Sequence, residues 1–495
     1  MKETRVMTGK KENDQEKQNF SGKKSKTSTG NREFVVITYL FLLLFLGLMV
    51  YLVYFQIKRS EDFINSPYNT RQDSFSEQVI RGKILASGGE VLAETVTDEN
   101  GTESRSYPYE KLFAHVVGFS TNGKAGLEST MNFHLLRSHA FIGERVIQEL
   151  SGQKNEGDNV VTTLDVSLQE AAYQALGNYD GAILVMEPHT GKILAMVSKP
   201  DYNPNTIAAD WDRIISQDEN DSQLLNRATQ GLYPPGSTFK IITTLEYMRE
   251  NPSYEQYSFD CDGTYTASGT TIHCYRSIAH HEEDLMGSFA NSCNSSYANI
   301  GLQLDAHQMN ALCSELMFGE KLPVSFESSA SRYSADSDSS ASMIMETAIG
   351  QGETLVTPLH MLMLASAIAN DGVLMKPYLV DHVENNQGIE VKRYEPSEVR
   401  QLMDPKEAQV LQEYMSAVVT EGTASAMSGA SYEACGKTGS AEYGSKKGES
   451  HAWFVGYAHQ DGKEDIAVAV IAEGAGSGSG VAVPAAKKIF DAYYR

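Results

Sequence analysis

The stretch Tyr233-Pro-Pro-Gly-Ser-Thr-Phe-Lys240 places a rigid turn directly before an apolar, helix-forming segment. Prolines and a glycine fix the turn, so we expect Ser237 to lie at a helix N-terminus. There, unpaired backbone N–H groups and the positive end of the helix dipole favour developing negative charge. Lys240 follows one turn later on the same helix face, where a lysine with a lowered pKa can take the serine's proton. The stretch predicts an activated serine; the alternative is a plain cap serine and an exposed lysine.

The Ser-x-x-Lys pattern alone is weak evidence, because it also occurs at Ser21 and Ser151. Ser21 lies in a lysine-rich N-terminal segment, and Ser151 lies in a connector rich in glycine and charge. Neither copy has a rigid turn before it or an apolar helix after it. Only the copy at Ser237 has a setting that suits catalysis.

Two more polar motifs follow downstream. A Ser-x-Asn string begins at Ser292 in Ala290-Asn-Ser-Cys-Asn294, where a polar cluster enters a predicted helix over 289–304. Lys-Thr-Gly occurs at Lys437 to Gly439, is followed by Ser440, and has strand-like residues on both sides. A glycine within a strand lets a ligand backbone approach closely. Taken alone, the alternatives are a helix N-cap cluster for the first motif and an edge-strand lysine with a turn glycine for the second.

In this order along the chain, the three motifs resemble those of the penicillin-binding protein and serine β-lactamase superfamily. The resemblance runs from about residue 68 to the end, and the short pedestal looks most like the penicillin-binding protein A type within class B. Other matching stretches are Tyr68-Asn-Thr-Arg71, Arg81-Gly82, Gly126-Leu-Glu128, Thr163-Leu-Asp165, the predicted hairpin over 181–198, Gly350-Gln-Gly352, Thr357-Pro-Leu359, Glu421-Gly-Thr423 and Ala452-Trp-Phe-Val-Gly-Tyr457. One departure is Ala86-Ser-Gly-Gly89, where the family usually has an Asp-Arg-Asn-Gly turn.

The resemblance implies acyl transfer at a serine. Ser237 would attack the carbonyl between the two terminal D-alanines of a peptidoglycan stem peptide, with Lys240 as general base. Ser292 and Lys437 would relay the proton to the departing D-alanine. Asn294 would hold the amide of the donor peptide.

The same resemblance assigns the substrate contacts. Thr438 and Ser440 would bind the terminal carboxylate, with Gly439 between them. Backbone N–H groups of Ser237 and Ser440 would form the oxyanion hole. β-Lactams would acylate the same serine and stay. No cofactor and no metal ion are expected, and a glycan-polymerising membrane partner is expected by resemblance only.

The apolar patterns favour an α+β fold. Strand patterns lie at 181–198 and again at 452–458 and 465–473, with helical patterns between them. Strands at both ends of a domain suggest one antiparallel sheet built from distant sequence. Strand patterns around a Gly-Gly turn at 81–93 predict a separate hairpin. With the resemblance, this indicates a transpeptidase domain, an antiparallel sheet flanked by helices, on a small and mostly β pedestal.

Residues 34–57 form an uncharged, largely apolar segment long enough to cross a ~30 Å hydrocarbon core at ~1.5 Å per residue. Residues 1–33 before it carry nine basic and five acidic side chains, although the whole chain has a net charge of −23. This bias predicts a cytoplasmic N-terminus and an outward-facing remainder; a buried core helix is the alternative to a membrane span.

The acidic net charge of the whole chain argues against a nucleic-acid partner. We expect a disordered tail (1–33), a transmembrane helix (34–57), an extracellular pedestal (58–158) and a transpeptidase domain (159–495).

The chain has five cysteines. Cys261 and Cys274 bracket a loop with His273, His280 and His281 nearby, so a disulfide and a structural zinc site are both alternatives. The spacing matches no standard zinc pattern, and free thiols with surface histidines are the favoured interpretation. Replacing Cys261 and Cys274 by serine is therefore expected to leave penicillin binding largely unchanged. The other three, Cys293, Cys313 and Cys435, are expected to pack in the core.

Two other functions compete with the transpeptidase. The first is a D,D-carboxypeptidase or β-lactamase, in which water resolves the acyl-enzyme; the anchor and pedestal argue against it, since a secreted hydrolase needs neither. The second is a β-lactam sensor or a non-catalytic scaffold for cell-wall assembly. The intact set of Ser237, Lys240, Asn294 and Lys437 argues against an inactive scaffold. A septal, lateral or sporulation-specific role and the acceptor amine stay open.

Overall fold

The structure is a computed structural model that describes residues 30–58, 79–141, 143, 150–216, 222–443 and 449–495. The predictions for most of the basic tail, for Ser21 and for the stretch 68–71 fall outside these residues. The chain divides into two compact units, Met1–Ile64 and Asn65–Arg495.

The first unit has one described helix, Gly30–Lys58. Within it, Arg32–Gln56 is a candidate membrane span of 25 residues, with a mean hydropathy of 2.6 in its most apolar window and no burial inside the protein. The hydroxyl of Thr38 donates to the carbonyl of Phe34 at 2.7 Å, so this polar group is satisfied within the helix. The predicted segment 34–57 is therefore helical, long enough and apolar enough to cross a membrane.

The second unit is organised around a five-stranded antiparallel sheet, the central sheet. Its strands lie in the spatial order Glu433–Glu442, Ser450–His459, Ile466–Ala472, Gly181–Met186 and Ile193–Lys199. The predicted hairpin over 181–198 forms the last two strands. Strands from the two ends of the domain meet where Ala182 lies opposite Ile471. The prediction of one antiparallel sheet built from distant sequence is confirmed.

Helices flank the central sheet and complete an α+β fold. The apolar helix Pro358–Ala369 is buried and packs on the sheet. The helix Val166–Leu176 packs on the closing helix Val483–Tyr493 and on the sheet. The other described α-helices of this unit are Ala114–Val117, Gly126–Thr130, Asn132–Leu135, Ile207–Ile215, Lys240–Glu250, Leu285–Ala290, Asn294–Gly301, Ala306–Glu315, Ala341–Ala348 and Pro405–Thr420.

A six-stranded sheet, the bridging sheet, joins the pedestal to the rest of the unit. Its strands lie in the order Glu390–Arg393, Val380–Glu384, Asn159–Thr162, Ile84–Leu85, Val91–Thr97 and Glu103–Ser106. The strand Asn159–Thr162 pairs in parallel with Ile84–Leu85 and antiparallel with Val380–Glu384. The predicted hairpin over 81–93 is confirmed by the antiparallel pairing of Ile84–Leu85 with Val91–Thr97. The predicted boundary at residue 158 thus falls immediately before a strand that both regions share.

One predicted helix is confirmed only in part, over Asn294–Gly301. The segment 289–304 forms no continuous helix, because Leu285–Ala290 ends before Ser292 and Asn294–Gly301 begins after it. Ser292 has a φ of 57°, a left-handed conformation that cannot continue a right-handed helix. The remaining described strands form short pairs: Val79–Ile80 with Asn155–Glu156, Phe259–Cys261 with His281–Glu283, Thr264–Ala267 with Thr270–His273, and Val373–Met375 with Glu398–Gln401.

The pedestal contains a buried ion-pair triad. The carboxylate of Glu128 accepts from Nε of Arg81 at 2.6 Å and from Nε of Arg105 at 2.7 Å, and its side chain is 0% exposed. Burial alone would raise the pKa of Glu128, but the two guanidinium groups outweigh burial and hold this pKa below its ordinary value. The triad therefore ties the strand end at Arg81 to the helix Gly126–Thr130 through charge as well as packing.

Candidate active site

Ser237 lies in a 3-10 turn, Gly236–Phe239, that leads directly into the helix Lys240–Glu250. The hydroxyl of Thr238 donates to the carbonyl of Pro235 at 2.7 Å and closes the turn from within. The serine side chain itself is half-buried. The prediction that the prolines and glycine deliver Ser237 to the start of a helix is confirmed.

The turn is held from outside by the segment at Gly350 and by the central sheet. The N–H of Gly236 donates to the carbonyl of Gly350 at 2.8 Å. The indole N–H of Trp453 donates to the carbonyl of Pro234 at 3.1 Å. Gly236 has a φ of +54°, and a Cβ at this position would lie 3.1 Å from the backbone of Ser440. Glycine is therefore required both for the backbone angle and for close contact with the strand.

Ser292 lies in the break between the helices Leu285–Ala290 and Asn294–Gly301. Its left-handed φ is uncommon for a residue with a side chain and persists only where the surrounding structure imposes it. The amide of Asn291 donates to the carboxylate of Glu283 at 2.6 Å and anchors this loop. The break turns Ser292 toward two lysines from other elements.

The first of these lysines is Lys240, which is fully buried. Its ammonium donates to the carbonyl of Ser292 at 2.7 Å, to Oδ1 of Asn294 at 2.8 Å and to the hydroxyl of Ser292 at 3.3 Å. Within the described residues these bonds use its three donors, and none goes to Ser237. The predicted reach of Lys240 to the Ser237 hydroxyl is thus not made in this arrangement, because a charged ammonium has only hydrogens to offer and finds its acceptors in the Ser-x-Asn loop.

The second lysine is Lys437, on the strand Glu433–Glu442 at the edge of the central sheet. It is fully buried, and Nζ donates to the hydroxyl of Ser292 at 2.9 Å. A weaker bond at 3.3 Å goes to the carbonyl of Thr438. The hydroxyl of Ser292 therefore lies between Lys437 and Lys240.

Two buried ammonium groups around one hydroxyl repel each other. Burial lowers the pKa of Lys240 to about 8. Burial, and after it the positive charge of Lys240, lower the pKa of Lys437 well below its ordinary value. A neutral amine is therefore accessible near neutral pH, and the Ser292 hydroxyl can pass a proton between the two lysines because it can donate and accept at once.

The strand beyond Lys437 is fixed by three polar contacts. The hydroxyls of Thr438 and Thr423 lie 2.6 Å apart. The hydroxyl of Ser440 accepts from the N–H of Gly478 at 3.2 Å, and the amide of Gln351 donates to the carbonyl of Ser440 at 3.3 Å. The predicted carboxylate-binding hydroxyls are thus already oriented by neighbours.

Gly439 packs against the serine turn. A Cβ at Gly439 would lie 3.1 Å from the carbonyl oxygen of Pro235, and equally near Thr238 and Trp453. The sequence pattern predicted a close backbone approach at this glycine. In the structure, the backbone that approaches Gly439 belongs to the turn at Pro235, which carries Ser237.

Four of the predicted residues form one hydrogen-bonded group, namely Lys240, Ser292, Asn294 and Lys437. Ser237 adjoins this group through the helix that carries Lys240. The sequence patterns gave no indication of the supporting contacts of Gln351, Thr423 and Glu283. The first two lie in stretches that already matched the family, whereas a buried carboxylate such as Glu283 leaves no signal in the sequence.

The cysteines fall into two groups. Cys313 packs in the main core and Cys435 lies half-buried against it, as expected. Cys261, Cys274 and Cys293 form a separate buried cluster, and the Nδ1 atom of His280 lies 3.5 Å from the sulfur of Cys261. These cysteines are free thiols, as the favoured interpretation had it, and Cys293 is buried as expected. The interpretation did not foresee that the thiols form one cluster, or that His280 is only partly exposed and lies beside them. Cys293 is the middle residue of the Ser-x-Asn motif, so the cluster adjoins the candidate active site.

Comparison with known proteins identifies the family. Residues 181–491 match the penicillin-binding protein transpeptidase domain, and residues 81–160 match the penicillin-binding protein A dimerisation domain. The first match covers the central sheet and all three motifs, and the second covers most of the described pedestal.

Curated relatives and solved structures agree. The chain is 32% identical over 454 residues to the peptidoglycan D,D-transpeptidase PbpA of Mycolicibacterium smegmatis, covering 85% of this chain and 89% of the relative. It is 30% identical to PbpA of Mycobacterium tuberculosis strain H37Rv, covering 88% and 94%. A ceftriaxone acyl-enzyme of penicillin-binding protein A from M. tuberculosis superposes with a TM-score of 0.77 at 27% identity, covering 86% and 100%. A D,D-transpeptidase domain from Eggerthella lenta gives 0.75 at 30%, covering 84% and 98%.

The chain therefore belongs to the penicillin-binding protein transpeptidase family, as a class B member with a penicillin-binding protein A type dimerisation domain. Its solved neighbours include acyl-enzyme complexes of penicillin-binding protein A from M. tuberculosis with imipenem and ceftriaxone.

Proposed function

We propose that this protein is a membrane-anchored peptidoglycan D,D-transpeptidase that cross-links stem peptides through an acyl-enzyme on Ser237. The observation that carries the proposal is the hydrogen-bonded group that joins Lys240, Ser292 and Lys437 beside the serine turn. Acyl transfer needs a nucleophile, a neighbouring base and a donor for the leaving group, and these residues are present in one place.

Acylation is the first step. Lys240 first passes its proton through the hydroxyl of Ser292 to Lys437, which leaves Lys240 as the neutral base and Lys437 as the charged acid. Oγ of Ser237 then attacks the carbonyl between the two terminal D-alanines, and its proton passes to the amine of Lys240. To accept this proton, the amine of Lys240 must give up part of its hydrogen bonding to Ser292 and Asn294. The N–H groups of Ser237 and Ser440 stabilise the oxyanion. The C–N bond then breaks, and Ser292 with Lys437 delivers a proton to the amine of the departing D-alanine.

Deacylation is the second step. The proton that Lys240 gained first returns through the hydroxyl of Ser292 to Lys437, so that Lys240 is neutral again. An amine from a neighbouring stem peptide attacks the ester carbonyl, loses a proton to Lys240, and forms the cross-link. The ester C–O bond breaks, and the oxygen of Ser237 takes this proton from Lys240. A β-lactam enters by the same attack, but its ring amine stays attached to the acyl group and cannot leave.

The contacts to the donor peptide come from two sides. Asn294 holds an amide of the peptide and is itself oriented by its bonds to Lys240 and to the carbonyl of His273 at 2.9 Å. Thr438 and Ser440 bind the terminal carboxylate, which Lys437 attracts by charge. Gly439 has no side chain, which allows the turn that carries Ser237 to pack against this strand.

Labelling with a fluorescent penicillin tests the nucleophile. The Ser237→Ala variant is expected to lose covalent label, because no hydroxyl remains at the start of the helix. The matched control is Ser151→Ala, which removes the serine of another Ser-x-x-Lys string and is expected to label like the unmodified protein. Label that persists in Ser237→Ala, mapped by mass spectrometry to another residue, would sink the assignment.

Product analysis separates the transpeptidase from its rivals. With stem peptides and an acceptor amine, we expect cross-linked dimer to exceed hydrolysed donor. Hydrolysed donor as the sole product indicates a carboxypeptidase. No turnover with intact labelling indicates a sensor or scaffold.

We also propose the arrangement relative to the membrane. The tail 1–33 is cytoplasmic, the helix over 34–57 spans the bilayer, and the pedestal (58–158) and transpeptidase domain (159–495) lie outside. The support is the excess of basic residues before the span. A glycan-polymerising membrane protein is the proposed partner, because a cross-linking enzyme acts on newly made glycan.

A reporter fused after Arg495 tests the orientation. An alkaline phosphatase fusion is expected to be active, since this enzyme folds only outside the cytoplasm. The matched fusion at Lys58, without the downstream chain, should also be active. A fluorescent C-terminal fusion of green fluorescent protein, together with an inactive phosphatase fusion at the same site, would show that the C-terminus is cytoplasmic and contradict the proposed topology.

A further inference from the structure

The cluster of Cys261, Cys274, Cys293 and His280 has the dimensions of a tetrahedral metal site. One donor atom from each residue lies within 4.8 Å of all the others. The Sγ atoms of Cys261 and Cys274 are 3.6 Å apart, and those of Cys274 and Cys293 are 3.7 Å apart. A tetrahedron with zinc–sulfur bonds of ~2.3 Å has sulfur–sulfur edges of about 3.8 Å.

Each sulfur is also positioned as a hydrogen-bond acceptor. Sγ of Cys261 accepts from the N–H of Gly263 at 3.4 Å, and Sγ of Cys274 accepts from the N–H of Ser295 at 3.5 Å. The remaining sulfur, of Cys293, accepts from the N–H of Ser296 at 3.4 Å. Backbone donors aimed at sulfur offset the negative charge of thiolates, as the outer shell of a metal site does.

A disulfide explains the cluster less well. A disulfide joins two sulfurs at about 2.05 Å, whereas Cys274 is almost equally near to Cys261 and Cys293. A disulfide in either pair would involve neither the third thiol nor the imidazole of His280. The three cysteines are buried, at 0–3% exposure. A single metal ion, unlike a disulfide, would bond to all four donors.

We propose that Cys261, Cys274, His280 and Cys293 bind one zinc ion in a closed, structural site. Three thiolates and one imidazole suit zinc and fill its four positions, leaving none open for water. On binding, each thiol still protonated gives its proton to solvent and forms a sulfur–zinc bond. The spacing resembled no standard zinc pattern because the fourth ligand, Cys293, comes from a helix N-terminus beyond the loop.

The ion would hold the Ser-x-Asn motif in place. Cys293 separates Ser292 from Asn294, and the amide of Asn294 donates to the carbonyl of His273, the residue before Cys274. Zinc thus cross-links the loop over 259–283 to the segment that supplies the partners of both lysines. This consequence rests on the proposed function, whereas the metal site itself does not.

Zinc content decides the proposal. Elemental analysis of the full chain, purified in detergent with reductant, is expected to give about one zinc per chain, falling below about 0.2 in Cys274→Ser and His280→Ala. The matched controls are His281→Ala, the exposed neighbour of His280, and Cys313→Ser in the main core, and both should keep the metal. Less than about 0.2 zinc in the unmodified chain, or full zinc in both ligand variants, overturns the site. A disulfide between two of the three cysteines, seen by intact mass in protein purified without reductant, overturns it as well.

A second measurement covers variants that fail to fold. In the unmodified chain, replacing zinc by cobalt(II) is expected to give the visible d–d bands of a tetrahedral thiolate site; spectra of octahedral cobalt overturn it. Chelation of zinc should lower β-lactam acylation at least ~10-fold, and zinc should restore the rate. With the metal site, the double replacement of Cys261 and Cys274 by serine is likewise expected to slow acylation, in contrast to the expectation from the sequence alone. If the protein contains one zinc per chain but its acylation rate does not change on chelation, the ion does not stabilise the Ser-x-Asn motif. Full zinc in a protein that never labels contradicts the proposed function and leaves the metal site standing.

Discussion

Replacing Lys240 by alanine is expected to slow acylation of Ser237 by a β-lactam at least ~100-fold, the low end of general-base contributions. Lys240→Arg should be no faster. A guanidinium can keep hydrogen bonds like those that Lys240 makes to Ser292 and Asn294, but it does not give up its proton at neutral pH. The arginine variant therefore separates loss of the base from loss of the contacts.

The matched pair is Lys437→Arg and Lys437→Ala. Lys437 is proposed to act mainly through positive charge near the substrate carboxylate, so arginine should keep measurable acylation and alanine should lose much more. The measurement is the second-order acylation rate with a β-lactam, with mass spectrometry on the Ser237 peptide. A near-normal rate in Lys240→Arg contradicts the general-base assignment. Equal acylation rates of Lys437→Arg and Lys437→Ala contradict the charge role of Lys437. If Lys437→Arg is slow while Lys240→Arg is not, Lys437 is the general base and Lys240 supplies the charge.

Replacing Glu128 by glutamine is expected to lower the free energy of unfolding by about 3–5 kcal/mol. The change leaves the buried guanidinium groups of Arg81 and Arg105 with no counter-charge. The matched control is Glu103→Gln, because Glu103 pairs with Lys154 at 2.9 Å on the surface. An exposed pair contributes only ~0–1 kcal/mol.

Urea unfolding followed by circular dichroism measures both variants, and limited proteolysis reports on the pedestal. We expect the pedestal of Glu128→Gln to be cleaved first, while its folded fraction still labels with penicillin. Equal stability of Glu128→Gln and Glu103→Gln would show that the triad contributes no more than a surface pair. Loss of labelling in fully folded Glu128→Gln would show that the pedestal acts on the active site directly.

Much of the fold could be predicted from the sequence because its signals are local. The hairpin over 181–198 has two apolar runs around a Pro and Gly turn, and the strand Glu433–Glu442 surrounds the Lys-Thr-Gly motif. The turn before Ser237 was predictable because prolines and glycine restrict the backbone on their own. In each case the residues that set the structure are neighbours in sequence.

The failures have a common physical origin, since each depends on residues far apart in the chain. The break at Ser292 needs a left-handed serine, which no local pattern encodes and which the surrounding loop imposes. The cysteine cluster draws its donors from three separate elements. The hydrogen bonds of Lys240 go to the Ser-x-Asn loop rather than to its neighbour on the same helix. Sequence patterns identified the participants but not their partners.

The bridging sheet has a consequence for how the protein is made. Its inner strand Asn159–Thr162 has one partner, Ile84–Leu85, that is synthesised earlier, and another, Val380–Glu384, that is synthesised roughly 200 residues later. At ~5–20 residues per second this edge stays unpaired for about 10–40 s, and an unpaired edge is a template for association with other chains. Until the segment around residue 380 is made, the nascent chain therefore exposes one edge of this strand to other chains.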